Sequence, residues 1–335
     1  MFIADCSGNV NALDIETGRT AWKYPVDPDG GTQFHGNPVL VDSLIVFDTD
    51  QGFKQKVGSF YALDRFTGEL RWSLRLDVGC ATDLAVVGPS LFGVTIDDRL
   101  VSIDALHGTI NWETGAGWAI DPDAGYYEDI RTPTLASGCV ASGTLVGYAG
   151  RDHAVHAVFA ETGEKAWSTA VEGYITTRLC AADTEWVFGT SNYELHCLGL
   201  DSGRITRTVR TPLIPQETMA WRDGRLYFLG GFEDARPADL LCLDARTGEI
   251  LWHSVMPDTS KHAFWYVPRL HFWRGTVIVG STHGLLVAYD EMTGAIRWQK
   301  RLEGAIRGIG STPDMLFVGN FDGKLFGLRR QDAVD

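Results

Sequence analysis

"NALDIETGRTAW" (Asn11–Trp22) sets a small residue, an Asp, a Thr-Gly pair and a Trp at fixed offsets, and "YALDRFTGELRW" (Tyr61–Trp72) and "CLDARTGEILW" (Cys242–Trp252) set them again. On the template A-x-D-x-x-T-G-x-x-x-W, good copies start at Ala12, Ala62, Cys242 and Ala288. "SIDALHGTINW" (Ser102–Trp112) has His107 for Thr, and "AVFAETGEKAW" (Ala157–Trp167) has Phe159 for Asp. "CLGLDSGRITR" (Cys197–Arg207) keeps only Gly203, with Ser202 for Thr and Arg207 for Trp. An eighth copy begins at Gly327 and meets the last residue. The starts lie 39 to 55 residues apart, the period of propeller blades.

Each period also reads as strands. Apolar or alternating runs such as "LIVFD", "LFGVT", "WVFGT", "LYFLG" and "TVIVG" precede the motif, and Gly, Asp, Asn and Ser punctuate them. No window carries a convincing helical period. The motif has a physical account. The small residue lets a Trp ring lie against it. Thr-Gly makes a tight turn that needs positive φ at Gly. Trp brings a large apolar area and a ring N–H that wants an acceptor.

The motif resembles the tryptophan-docking motif of the quinoprotein-type propellers, the PQQ-like repeats, over almost the whole chain. The fold expected is therefore all-β, a single β-propeller domain over residues 1–335 with four-stranded antiparallel blades. Counting strands A to D from the inner to the outer edge of a blade gives eight B–C pairs, seven A strands and seven D strands. That total favours eight blades; seven with a spare N-terminal hairpin is the alternative.

The quinoprotein dehydrogenases of that family carry adjacent cysteines over their cofactor. Cys6, Cys80, Cys139, Cys180, Cys197 and Cys242 are all widely separated here, so no cofactor, PQQ included, is expected. The spacing suits neither zinc nor a compact disulfide framework, and no metal is expected. The family's outer-membrane assembly lipoprotein needs a leader followed by Cys. "MFIAD" before Cys6 is too short and contains Asp5, so a cytoplasmic location is expected. Net charge is −14, which disfavours nucleic acid as a partner. The lack of a basic run or a long apolar stretch argues against a membrane partner.

The long insertions fall in one class of loop. They are Pro25–Gly36, Gly115–Asp129 and Met256–Tyr266 between D and A strands, and Asp48–Ser59 and Gly230–Asp239 between B and C strands. In a propeller these two loop types share a face, and long loops on a rigid scaffold are where function sits. The inner-strand starts on that face offer ligand-binding candidates Asp83, Arg131, Tyr174, Arg178, Glu217, Trp265, Tyr266, Arg269 and Arg307. Aromatic anchors on the loops include Trp118, Tyr126 and Phe264.

Two functions fit. The first is a non-catalytic binding propeller that holds a protein or small-molecule partner on the long-loop face and channel mouth. The alternative is a non-redox enzyme of lyase, isomerase or cyclase type acting on a polar or anionic small molecule. In that case Glu128, Asp129, His35 and His262 are the acid/base candidates and the arginines the anion clamps. His153, His156 and His196 read as inter-blade packing. No hydrolase, P-loop or dinucleotide motif is present.

Overall fold

The computed structural model describes residues 1–5, 8–26, 34, 36–50, 57–80, 83–115, 138–150, 152–231, 239–258 and 270–329. The candidates Glu128, Asp129, His35, His262, Arg131, Trp265, Tyr266 and Arg269 lie outside the described residues, as do Trp118, Tyr126, Phe264 and the side chain of Glu217. The described residues form thirty strands in eight antiparallel sheets. Six sheets have four strands. The first, Phe2–Asp5, Asn9–Leu13 and Thr20–Pro25, has three, as does the last, Ile306–Ser311, Met315–Asn320 and Leu325–Arg329. Each sheet is a meander of consecutive strands. The fold class is an eight-bladed β-propeller. Among the described residues the first sheet lacks an A strand and the last a D strand, in agreement with the strand total read from the sequence.

The strands divide into two compact units, Met1–Tyr174 with Gly199–Arg204, and Ile175–Leu198 with Ile205–Asp335. Within each unit the apolar clusters join successive sheets. In the first unit Val46, Phe60 and Ala62 pack with Leu91, Val101 and Ile103. In the second Tyr227, Leu229 and Leu240 pack with Val277, Val279 and Val287. In the four-stranded sheets the B and C strands are largely covered on both faces, so they read as apolar runs; Thr276–Gly280 is buried at every position. D strands have one open face and alternate, as Ile296–Arg301 does.

Each copy of the motif builds one corner. Its small residue and its Trp are opposite each other across the C–D pair: Ala12 with Trp22, Ala62 with Trp72, Ser102 with Trp112, Ala157 with Trp167, Cys242 with Trp252, Ala288 with Trp298. A register shift follows the small residue in every case, a bulge that bends the strand there. The motif Asp caps its turn. Asp64 accepts the N–H groups of Phe66 and Thr67 at 2.9 and 3.0 Å. Asp14, Asp104, Asp244 and Asp290 do the same. Gly18, Gly68, Gly248 and Gly294 stand at φ of 70 to 77°, the region glycine enters without penalty.

The tryptophan then reaches the following corner. Trp22 donates its ring N–H to Arg65 O (3.1 Å), Trp72 to Ala105 O (3.1 Å), Trp112 to Ala160 O (3.2 Å), Trp167 to Leu200 O (2.9 Å) and Trp252 to Glu291 O (3.2 Å). Each ring lies on the glycine of the corner it reaches: Gly68, Gly108, Gly163, Gly203 and Gly294 have the ring where a Cβ would stand. Glycine is needed there twice over, for its φ and for the space.

Candidate functional site

In every four-stranded sheet the A–B and C–D turns leave from one end of the strands and the B–C and D–A connections from the other. The long connections, residues 26–38, 51–57, 116–138, 232–238 and 255–270, all leave from the second end. This is the loop asymmetry expected from the sequence.

Four of the candidate side chains are described. Asp83 is buried, and its Oδ1 accepts from Asn37 Nδ2 at 2.9 Å and from Asn37 N at 3.2 Å. The Cys139 thiol lies 3.5 Å from Asp83 O and 3.2 Å from Phe92 O. The Asp83 carboxylate thus ties the starts of two inner strands, and a ligand would have to compete with Asn37 for it. Tyr174 is different: it is 51% exposed, with its ring 4.8 Å from that of His153. His153 Nδ1 sits 2.8 Å from Gly173 O, which fixes the platform under the tyrosine. These residues belong to the first unit.

In the second unit, Arg178 is half-buried beside the buried Thr177, whose hydroxyl accepts the Gly189 N–H at 2.8 Å. Arg307 lies over the Phe321 ring, 5.6 Å from its centroid, and Phe321 is 54% exposed. An arginine above an exposed aromatic is a surface made to meet something flat or acidic.

Other charged groups escaped the sequence reading. The Arg99 guanidinium is held by Asp77 (2.8 Å), Asp97 (3.0 Å) and Glu113 (3.0 Å). Its hydrogen bond holds the Asp77 carboxyl below its usual range. The run "DDRL" carries this arginine and Asp97, but Asp77 and Glu113 come from elsewhere in the chain. In the second unit Ser281 donates to Asp258 Oδ2 at 2.9 Å, and His283 Nδ1 lies 3.6 Å from the same oxygen. Here the carboxylate, not the imidazole, meets the serine, so the arrangement is not a Ser-His-Asp triad. Ser281 Oγ also accepts the N–H groups of His283 and Leu285, the work of a turn.

Cys80, Cys180, Cys197 and Cys242 are buried. Burial pushes the Cys80 thiol well up, with the Asp48 charge adding to it, and raises Cys242 to about 11. Neither supplies a thiolate at neutral pH. His156 and His196 hydrogen-bond within their own blades. His156 Nδ1 is 3.0 Å from Ser168 Oγ, and His196 Nδ1 is 3.0 Å from Thr208 Oγ1. Each pair is directly opposite across a C–D ladder. Among the described residues no group of three His, Cys, Asp or Glu is placed to hold a metal ion.

The repeated corner is the feature that carries the kinship of this chain. The family profile described as outer membrane protein assembly factor BamB matches residues 6–119, 115–263 and 237–334. The chain belongs to this PQQ-like repeat family. It is 24% identical over 149 residues to the outer membrane protein assembly factor BamB of Moranella endobia (strain PCIT), covering 42% of this chain and 34% of that one. It is 29% identical over 175 residues to the dehydrogenase subunit of the quinone alcohol dehydrogenase of Gluconobacter oxydans (strain 621H), covering 47% and 22%. Each match spans about a third or less of the relative's own length. The crystal structure of BamB from Moraxella catarrhalis superposes with a TM-score of 0.74 at 19% identity, over 98% of this chain and 92% of that one. At that identity the likeness speaks to fold alone.

Two expectations are affected. A cytoplasmic location is corrected: the family profile and the BamB relatives are named for outer-membrane assembly and point away from the cytoplasm. The expectation rested on what the first residues lack, which carries no physical information about compartment. The quinone relative raises the cofactor again. The donor set does not fit it, because no two cysteines are adjacent in the sequence and those described are separate thiols, Cys139 half-buried and the others buried.

Proposed function

We propose that residues 1–335 form one propeller domain that acts as a non-catalytic binding scaffold. It holds a protein partner on the blade ends where the long connections leave. The observation that carries this reading is the chemistry of the described side chains at those ends. Tyr174 stands exposed on His153, and Phe321 stands exposed beneath Arg307. Tyrosine and arginine are the residue types that dominate protein interfaces, while Asp83 is already occupied. Arg131, Arg178, Glu217, Trp265, Tyr266 and Arg269 are the remaining candidate contacts. The relatives named as assembly factors support a partner of the outer-membrane assembly type.

Photo-crosslinking amino acids at Tyr174 and Phe321 in the native host test this. The same probe at Phe66 and Met292, exposed on the Thr-Gly turns at the other end, is the control. Crosslinks to one defined protein from the first pair are expected. Crosslinks from the turn positions alone would overturn the reading.

A further inference from the structure

One corner breaks the pattern. Where five corners are each filled by an indole, the copy at Cys197–Arg207 has an arginine. The guanidinium keeps the indole's hydrogen bonds: Arg207 Nη1 and Nη2 donate to Arg246 O and Ala245 O. These carbonyls follow Asp244, as Arg65 O follows Asp64 at the corner that Trp22 reaches. Nη2 also lies 3.1 Å from Cys197 Sγ, at the position that Ala, Ser or Cys242 fills in the other copies. What the guanidinium does not replace is the ring's volume. Gly248, whose counterparts Gly68, Gly108, Gly163, Gly203 and Gly294 are each covered by an indole, meets Val209 instead.

A cavity of about 300 Å³ is left, lined by Glu185, Arg207, Val209, Trp221, Leu226 and Gly248 among others. That volume is at the lower end of small-ligand pockets. Val209 and Trp221 belong to the apolar cluster of these two blades. Glu185 gives the pocket its polar group. Its Oε1 accepts from the Thr206 hydroxyl at 2.5 Å, and its Oε2 lies 3.8 Å from Arg207 Nη2. Asp183 and Asp244 also line the cavity, so an anionic ligand is disfavoured.

We propose that this cavity binds a free, flat, uncharged heteroaromatic molecule of about indole size. The ring would stack on the Arg207 guanidinium, a contact that arginine makes well. Its N–H would point to Glu185, because Arg207 already holds the backbone carbonyls. This site is at the turn end of the blades and is independent of the proposed partner surface.

Indole itself is the probe, followed by ligand-observed NMR on the full chain. Saturable binding is expected with a dissociation constant below about 1 mM, the affinity of a small fragment in a formed pocket. Arg207→Trp and Val209→Phe each fill the cavity and should weaken binding at least about tenfold, one factor of ten being about 1.4 kcal/mol. Circular dichroism and gel filtration show which variants fold, and either folded variant suffices. N-methylindole should bind more weakly than indole. No saturable binding at millimolar indole, or unchanged binding in a folded cavity-filling variant, would overturn the proposal. Equal binding of N-methylindole would overturn the role given to Glu185.

Discussion

Gly18 and Gly68 occupy the same place in two copies of the motif, and their φ values are 70° and 76°. A Cβ on Gly18 would meet no atom of the described residues within 4 Å. A Cβ on Gly68 would lie 2.6 Å from Trp22 Cδ2 and 2.8 Å from Cε3. Alanine at either site bears the left-handed backbone penalty, about 1–2 kcal/mol. Only at Gly68 must the indole move as well. That displacement adds an overpacking cost of about 1–3 kcal/mol and endangers the bond from Trp22 to Arg65 O, worth about 1 kcal/mol. Gly68→Ala should therefore be less stable than Gly18→Ala by about 2–4 kcal/mol. At about 2 °C per kcal/mol for a chain of this size, the melting temperatures should differ by about 4–8 °C. Thermal unfolding followed by circular dichroism reads this difference. Trp22→Ala in the Gly68→Ala background should show strong non-additivity, because the clash disappears with the ring. Equal losses in the two glycine variants, or additive losses in the double mutant, would refute the account of the corner.

Other outcomes follow from the same geometry. Trp252→Phe keeps most of the apolar area but loses the bond to Glu291 O, which should cost about 1 kcal/mol in denaturant titration. The Arg71 hydrogen bond holds Asp64 down at about 2, and the Arg297 hydrogen bond, with help from Thr293, does the same for Asp290. Both folded values lie below the ordinary 3.8. Their contribution is complete above that value and is lost as pH falls from about 4 to about 2. The Asp64→Asn, Asp290→Asn double variant should show a flatter melting profile through that window than the parent. Arg207→Trp should raise the melting temperature, since it fills the cavity and removes a buried Arg207 Nε that has no hydrogen-bond acceptor among the described residues; a lower value would show that the corner is built around the arginine.

The repeat and strand total were legible because each copy of the motif is local: the Ala, the turn and the Trp lie within one stretch of chain. Cross-strand register was not. His156 and His196 read as inter-blade groups because their partners, Ser168 and Thr208, are opposite only once the bulge after the motif's small residue is placed. The inner-strand start "TDLAVV" looked available for a ligand, yet Asn37 holds the Asp83 carboxylate from far along the chain. Arg99 was missed although Asp97 is two residues away, because Asp77 and Glu113 come from separate segments.

The corners place the indoles, capped turns and bulges at one end of the strands, and the long insertions begin at the other. The two demands on the sequence are therefore spatially decoupled. A loop that lengthens between B and C strands disturbs no indole, no capping Asp and no bulge, so its cost is little more than closure entropy, which grows slowly with length. Selection can rewrite the recognition end without drawing on the stability held at the turn end. A scaffold wired this way avoids the usual exchange of stability for function, and its kin can carry different names while keeping the same corner.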